Sequence, residues 1–462
     1  MKTSLSLDYS SILANEARAV NLAVTFEAPN TVPSRPEPVA FVLVLDRSGS
    51  MQGAPLEAAK KAAISVVRNL RPGDWFGMVI FDSDAQTLLP ISDSRDQSIT
   101  IRTIEGIEPG GATNLTGGGS LGRGLLSSAP SQCPKKILLL TDGMANVGII
   151  EPDRIEFLAG QACERSNIRT SCLGFGDEYT EDLLRAMASA SGGEQHDANN
   201  PEHLPKIFET ELEGLQRIAV QNLRIRTTPT HSLDDYELLG SYPRPIKNGQ
   251  SREYAIGDLV SDEQRVVVFS LSVLPLPLLE DGSPVASWDG EKLLDLELCF
   301  DAITEWGVEI RREERSVSVR PVQDPDEVKF DVEVIAWASL QAAATCADRA
   351  IMLKDRGEAA KARSILQNEI DRLSLLPPSA VLEDAINLLT RTLETILDDE
   401  DYSRSRKVMS STVMEFSRMS SHESRPQRMG AAPSFKRRPP PADPAEQDDE
   451  STTSSDEEDS RR

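Results

Sequence analysis

Apolar and polar positions divide this chain into segments of different period. Between residues 38 and 217, short apolar runs alternate with helical stripes. Phe41 to Leu45 is an uninterrupted apolar run, typical of a strand buried on both faces. Pro55 then opens a helix whose Leu56, Ala59, Ala63, Val66, Val67 and Leu70 fall on one stripe. Further strands are predicted over Phe76 to Phe81, Ile137 to Leu140 and Ile168 to Leu173, and further helices over Asp153 to Arg165, Leu183 to Ala190 and Leu204 to Leu215. This rhythm predicts an α/β domain at 38–217, a doubly wound, mainly parallel sheet of Rossmann-like form with helices on both faces.

The flanks read differently. Residues 1–37 predict one or two strands, with Val20 to Phe26 alternating at the period of a half-buried strand. Residues 218–325 lose helical period. Asn222 to Arg226, Glu237 to Leu239, Arg265 to Val273, Leu293 to Phe300 and Val308 to Val319 predict strands between Gly, Pro and Asp turns, which reads as a small β-sandwich. The N-terminal strands lack partners of their own and are expected to complete it. Residues 329–420 predict a helical segment of two or three packed helices, over Val332 to Leu353, Glu358 to Leu373 and Leu382 to Leu397. Residues 421–462 form a basic, Pro-rich stretch and then an acidic Ser/Thr run, a composition expected to be disordered because it buries too little apolar surface to offset chain entropy. Ser451, Thr452, Thr453, Ser454 and Ser455 lie there among acids and are candidate phosphoacceptors.

Composition narrows the function classes. The chain has 462 residues and a formal net charge of -25, which argues against nucleic acid or an anionic membrane as partner. No stretch approaches the ~18 apolar residues of a membrane span, and the first twenty residues lack the apolar core of a secretory signal, so a cytoplasmic protein is expected. The five cysteines contain no CxxC pair, so a zinc ribbon or RING is not expected and small buried thiols are. The four histidines form no HExxH or other ligand spacing.

Chemistry concentrates where predicted strands end. Asp46-Arg47-Ser48-Gly49-Ser50 follows the first buried run. Alone, this pentapeptide is also what caps a helix after a strand. Two further loops change its weight. Pro109 to Leu115 is Gly-rich with Thr113 near its tip, and Leu138-Leu-Leu-Thr-Asp-Gly143 ends another buried strand at Asp142. In a parallel sheet these loops share the carboxyl edge, where ligands bind. They offer the carboxylates of Asp46 and Asp142 and the hydroxyls of Ser48, Ser50 and Thr113.

The segments VLVLDRSGSM at 42–51, GGATNL at 110–115 and LLLTDG at 138–143 resemble the von Willebrand factor A family. The resemblance spans residues 38–217 and includes all five ligand positions in order. It implies a metal-ion-dependent adhesion site in which Ser48, Ser50 and Thr113 coordinate through hydroxyls, while Asp46 and Asp142 act directly or through water. Arg47 stands at a variable position. Hard oxygen donors of this kind suit Mg²⁺ or Mn²⁺ and are poor for zinc. A first shell of hydroxyls and water leaves the ion electron-poor, so a partner's Glu or Asp takes the open position.

The expected function is therefore a Mg²⁺-dependent protein-interaction scaffold or adaptor, not an enzyme, with no catalytic residue. The alternatives are a metal-dependent phosphohydrolase, for which Asp82 and Asp84 are candidate bases by sequence proximity alone, or a regulatory partner subunit of an ATPase. No GxxxxGK[ST] loop is present for ATP itself.

Overall fold

The computed structural model describes residues 1–30, 37–93, 96–131, 133–176, 178–198, 200–278, 290–304, 307–398 and 402–417, the side chains of 162–165 excepted. The expected disordered tail, with its candidate phosphoacceptors, lies outside the described residues. The chain begins with three strands where one or two were expected: β1 (Lys2–Leu7), β2 (Ser11–Leu13) and β3 (Arg18–Glu27). β2 is too short to show a period.

The α/β domain follows. Its elements are β4 (Ala40–Asp46), α1 (Ala54–Asn69), β5 (Trp75–Phe81), β6 (Ala85–Asp93), α2 (Gln97–Glu105), α3 (Leu115–Leu126), β7 (Lys135–Thr141), α4 (Pro152–Ser166), β8 (Ile168–Phe175), α5 (Glu181–Ser191), β9 (Gln195–Ala198) and α6 (Leu204–Gln216). The sheet order is β6-β5-β4-β7-β8-β9. All pairings are parallel except that of β6, which runs antiparallel on one edge. β6 and β9 escape a pattern search because edge strands are half exposed; Pro90 within β6 is tolerated for the same reason.

β4 is buried along its whole length and feeds both faces. Phe41, Leu43 and Leu45 pack with α1 and α6, and Val42 and Val44 with α3, α4 and α5. α3 lies unusually close to the sheet. A Cβ on Gly118 would sit 2.7 Å from the Phe81 ring, and one on Gly122 would sit 2.7 Å from Val44. The glycines after Asn114 therefore permit a close helix-on-sheet approach, which draws the preceding loop down onto the carboxyl edge.

The remaining strands are β10 (Ile218–Pro229), β11 (Leu233–Leu238), β12 (Ile246–Asn248), β13 (Ser251–Val260), β14 (Gln264–Val273), β15 (Glu291–Thr304) and β16 (Gly307–Val322). They form two sheets, β1-β3-β14-β11 and β12-β13-β10-β15-β16-β2, which share one apolar core that includes Phe26, Phe269, Leu298 and Phe300. Two of the N-terminal strands thus pair with strands more than two hundred residues later: β3 lies along β14 from Glu27–Gln264 to Arg18–Val273, and β2 lies parallel to the end of β16, while β1 pairs with β3.

Four helices follow in the described residues, against two or three expected: α7 (Val332–Asp355), α8 (Ala359–Leu373), α9 (Ala380–Leu397) and α10 (Tyr402–Phe416). α7 packs its alanines against Ala23, Val266 and Val268 on the outer face of the smaller sheet. α10 begins with a polar run, Tyr402-Ser-Arg-Ser-Arg-Lys407, and has too few apolar positions to be read as a helix alone. No helix among the described residues is long and apolar enough to cross a membrane. Cys133 and Cys172 are buried, while Cys299 and Cys346 are only half-buried, and these four are free thiols.

Candidate metal centre

β4 and β7 are neighbours at the point where strand order reverses. After β4 the chain turns to α1 on one face; after β7 it turns to α4 on the other. The crevice between such diverging loops is where ligands enter open α/β sheets. The structure brings Asp46, Ser48, Ser50, Thr113 and Asp142 to this rim.

Asp46 ends β4 and is wholly buried. Its Oδ1 accepts the Ser48 N–H at 2.7 Å and its Oδ2 accepts the Thr141 hydroxyl at 2.6 Å. The Ser48 and Ser50 hydroxyl oxygens lie 3.1 Å apart, and Ser50 donates to Asp142 Oδ1 at 2.7 Å. Thr113 is placed by its backbone. Its N–H donates to Asn146 Oδ1 at 2.8 Å, and its carbonyl accepts from the N–H groups of Asn146 and Val147 at 3.1 and 3.3 Å. A Cβ on Gly143 would stand 3.4 Å from Thr113 Oγ1 and 3.7 Å from Ser50 Oγ, so both hydroxyls border the space over Gly143.

The loops are stitched together. Gly110 N–H donates to the Arg47 carbonyl at 2.6 Å, and Gly49 N–H to the Gly111 carbonyl at 2.9 Å. A side chain at Gly110 would collide with the Asp82 carboxylate. Asp82 itself is held by the Arg47 guanidinium at 2.7 Å and by a turn with Asp84, whose N–H donates to Asp82 Oδ1 at 3.1 Å. Arg47 therefore spends its charge on Asp82.

The electrostatics are those of an uncompensated acid pair. Burial pushes Asp46 up to about 6; hydrogen bonds from Thr141 and Ser48 oppose this, and the charge of Asp142 adds to it. Burial also raises Asp142, the Ser50 hydroxyl opposes, and the charge of Glu178 adds to the rise. Among the described residues no Lys or Arg pairs with either acid. Buried carboxylates without a cation are costly, and two carboxylates with three hydroxyls are the hard-oxygen set that suits Mg²⁺ or Mn²⁺. The donor set fits a divalent cation of that kind.

Sequence reading missed Thr141, although the signal was the threonine before Asp142 in LLLTDG. It also missed Asn146, which has no marker except its tertiary partner. A second cluster went unseen entirely. Ligand atoms of Glu194, His196 and Glu211 lie within 4.8 Å of one another. His196 Nε2 is 2.5 Å from Glu211 Oε1, Lys136 Nζ is 2.5 Å from Glu211 Oε2, and Ser171 donates to that oxygen at 3.0 Å. Residues from β7, β8, β9 and α6 meet here, so no local spacing announces it.

Residues 41–210 match the von Willebrand factor type A domain. The protein carries a domain of that class, and domains of the class commonly mediate protein–protein interaction. Among characterised and uncharacterised relatives, an uncharacterized protein of Synechocystis is 28% identical over 262 residues, covering 55% of this chain and 61% of that one. Inter-alpha-trypsin inhibitor heavy chain H3 of Homo sapiens is 29% identical over 187 residues, 37% of this chain and 20% of the heavy chain. This chain therefore spans less than two thirds of either relative. A von Willebrand factor type A protein from Catenulispora acidiphila shares the fold at TM-score 0.69 and 17% identity, over 90% of this chain and 96% of that one. The ArnB paralog VWA2 from Sulfolobus acidocaldarius does so at TM-score 0.64 and 19% identity, over 90% and 98%.

Proposed function

We propose that this protein is a Mg²⁺- or Mn²⁺-dependent protein-binding scaffold that grips an acidic side chain of a partner through Asp46, Ser48, Ser50, Thr113 and Asp142. The observation that carries the reading is the convergence of two acids and three hydroxyls on one strand-end rim, with no Lys or Arg paired to either acid among the described residues. The bound ion supplies an electrophilic position that a partner's Glu or Asp completes. The chain's own residues do the rest. Thr141 and the Ser48 N–H orient Asp46, Ser50 orients Asp142, and Asn146 holds the Thr113 loop against them.

Binding is favoured over hydrolysis by the state of the acid that the sequence offers as a base. Asp82, a candidate base by sequence, is tied to Arg47 and to its own turn. The common role of the domain class in protein–protein contact supports the same reading.

Capture of partners from a lysate with Mg²⁺, compared with EDTA and with Asp46→Ala, tests the proposal when read by mass spectrometry. The expected result is a set of proteins retained only by wild type with Mg²⁺. Identical capture in all three arms would remove the metal from the function. Turnover of a generic phosphoester with Mn²⁺, abolished by Asp142→Ala, would replace the binding reading with a hydrolytic one.

A further inference from the structure

β16 leaves the sandwich with one long edge uncovered. One side of it pairs with β15 from Gly307–Thr304 to Val319–Glu291, whereas β2 meets the other side only at Arg320–Val322. Among the described residues no strand pairs with that outer edge between Gly307 and Val319. Glu309 to Arg312 and Glu314 to Ser316 are exposed there, and Ile310 is 77% exposed. An open edge of this length is a template for another strand.

The side chains along this edge specify which strand fits. Glu309, Arg311, Glu313 and Arg315 stand opposite Ala302, Phe300, Leu298 and Leu296 of β15, so all four share the sheet face that bears the core. Arg311 pairs with Glu309 at 2.9 Å and Arg315 with Glu313 at 2.8 Å along that face. Charges on an edge commonly keep strands apart. Here their order, acid-base-acid-base, complements its own reverse. An antiparallel pair of identical strands has its two-fold axis normal to the sheet, so each residue meets one on the same face. With the axis through Arg312, Glu309 faces Arg315 of the second copy and Arg311 faces Glu313, and each pair occurs twice. Moving the axis to Arg311 opposes Glu309 to Glu313; moving it to Glu313 opposes Arg311 to Arg315. On the solvent face the two Arg312 side chains meet, but each has Glu297 of its own β15 at 3.8 Å and Glu314 of the second copy on the diagonal. The same register fits the space. Gly307 falls opposite Val317 of the second copy, so each β15–β16 hairpin ends before Arg320, where β2 begins.

We propose that β16 is a homodimerisation edge, pairing antiparallel with β16 of a second copy about an axis at Arg312 and joining two six-stranded sheets into one. Backbone hydrogen bonds supply the attraction, as in other strand additions. The charges form solvent-exposed pairs of small individual worth, and they select the register and the partner. The dimer is independent of the strand-end rim and forms whether or not a cation binds there.

Sedimentation velocity of the full chain over a concentration series tests this, in Mg²⁺ and in EDTA. Wild type should show a monomer–dimer equilibrium with the same dissociation constant in both buffers. Arg311→Glu and Glu313→Arg should each weaken dimerisation by about tenfold, because two contacts turn repulsive in either variant. Combining both substitutions in one chain should restore the dimer. An equimolar mixture of the two single variants should form heterodimers, since each altered charge then meets its opposite. A misfolded variant would not be rescued by mixing, so the mixture separates loss of the interface from loss of the fold. A wild type that stays monomeric overturns the proposal. So does a dimer that Arg311→Glu leaves intact, one that is lost in EDTA, or a pair of single variants that do not associate when mixed.

Discussion

Two acid clusters in one sheet domain point in opposite directions. Around Glu211 the ligand-type side chains crowd together, yet the charge is already balanced: Lys136 and His196 face its two oxygens. Around Asp46 and Asp142 the groups are spread over three loops, and among the described residues no Lys or Arg pairs with them. Proximity of ligand atoms alone would select the first cluster as the metal site. Charge compensation favours the second, the site proposed above. A buried acid whose partner is a lysine holds the fold together; a buried acid whose neighbour is another acid is arranged for something that arrives from outside.

The largest effect that would sharpen this contrast is at Glu211. Glu211→Gln keeps the shape but strands Lys136 and His196, and should destabilise the fold by about 3 kcal/mol in denaturant unfolding, with or without Mg²⁺. A loss under about 1 kcal/mol would mean that the cluster is not a structural ion pair.

The same cluster has a pH signature. Burial pulls His196 down, but the hydrogen bond and charge of Glu211, aided by Glu194, outweigh it and raise His196 above its ordinary value of 6.5. Burial raises Glu211, but Lys136 and His196 outweigh it and hold Glu211 well below 4.5. A raised histidine contributes stability that is complete below pH 6.5 and lost as pH climbs through the folded value. A depressed glutamate contributes stability present above pH 4.5 and lost as pH falls through its folded value. Unfolding midpoints should therefore decline above about pH 6.5, and His196→Gln should flatten that alkaline limb. A limb of unchanged slope in the variant would assign it to other groups.

At the other cluster the expected changes depend on the ion. Mg²⁺ at about ten times its dissociation constant should stabilise wild type by about 1.4 kcal/mol, and Asp142→Ala by nothing, in a thermal-shift titration. Equal shifts in both proteins would place the ion elsewhere.

The Thr113 loop can be loosened without removing a proposed ligand. The Asn114 side chain accepts the Gly117 N–H at 3.0 Å as cap of α3. Asn114→Ala should cost about 1 kcal/mol and weaken Mg²⁺ binding. The smallest effect is expected for Asp46→Asn without metal: under about 0.5 kcal/mol, because no cation is stranded and the Thr141 hydroxyl can accept from the new amide. A loss there as large as that of Glu211→Gln would erase the distinction between the clusters.

Much of this was legible in the chain. Phe41 to Leu45, Ile137 to Leu140 and Ile168 to Leu173 are continuous apolar runs because their strands are covered on both faces, and each appears as a buried strand. Four of the five rim residues were readable for a related reason. A parallel sheet sends every strand's carboxyl end to the same edge, so Asp46, Ser48, Ser50 and Asp142, at or just after buried runs, are forced to share it; Thr113 follows a helix and was readable only from its Gly-rich loop and the family resemblance. Edge strands β6 and β9, the short β2 and the polar helix α10 were not readable, since none carries a full apolar face.

By itself, then, the sequence determined the α/β class and that Asp46, Ser48, Ser50 and Asp142 stand at the rim, because local period and strand direction suffice for both. Tertiary structure alone decided charge compensation. That Arg47 serves Asp82 and not Asp46, that Lys136 and His196 meet Glu211, and that Lys407 reaches Tyr179 are contacts between residues 15 to 228 positions apart. Electrostatic partners are chosen by distance in space, and no period along a chain encodes that distance.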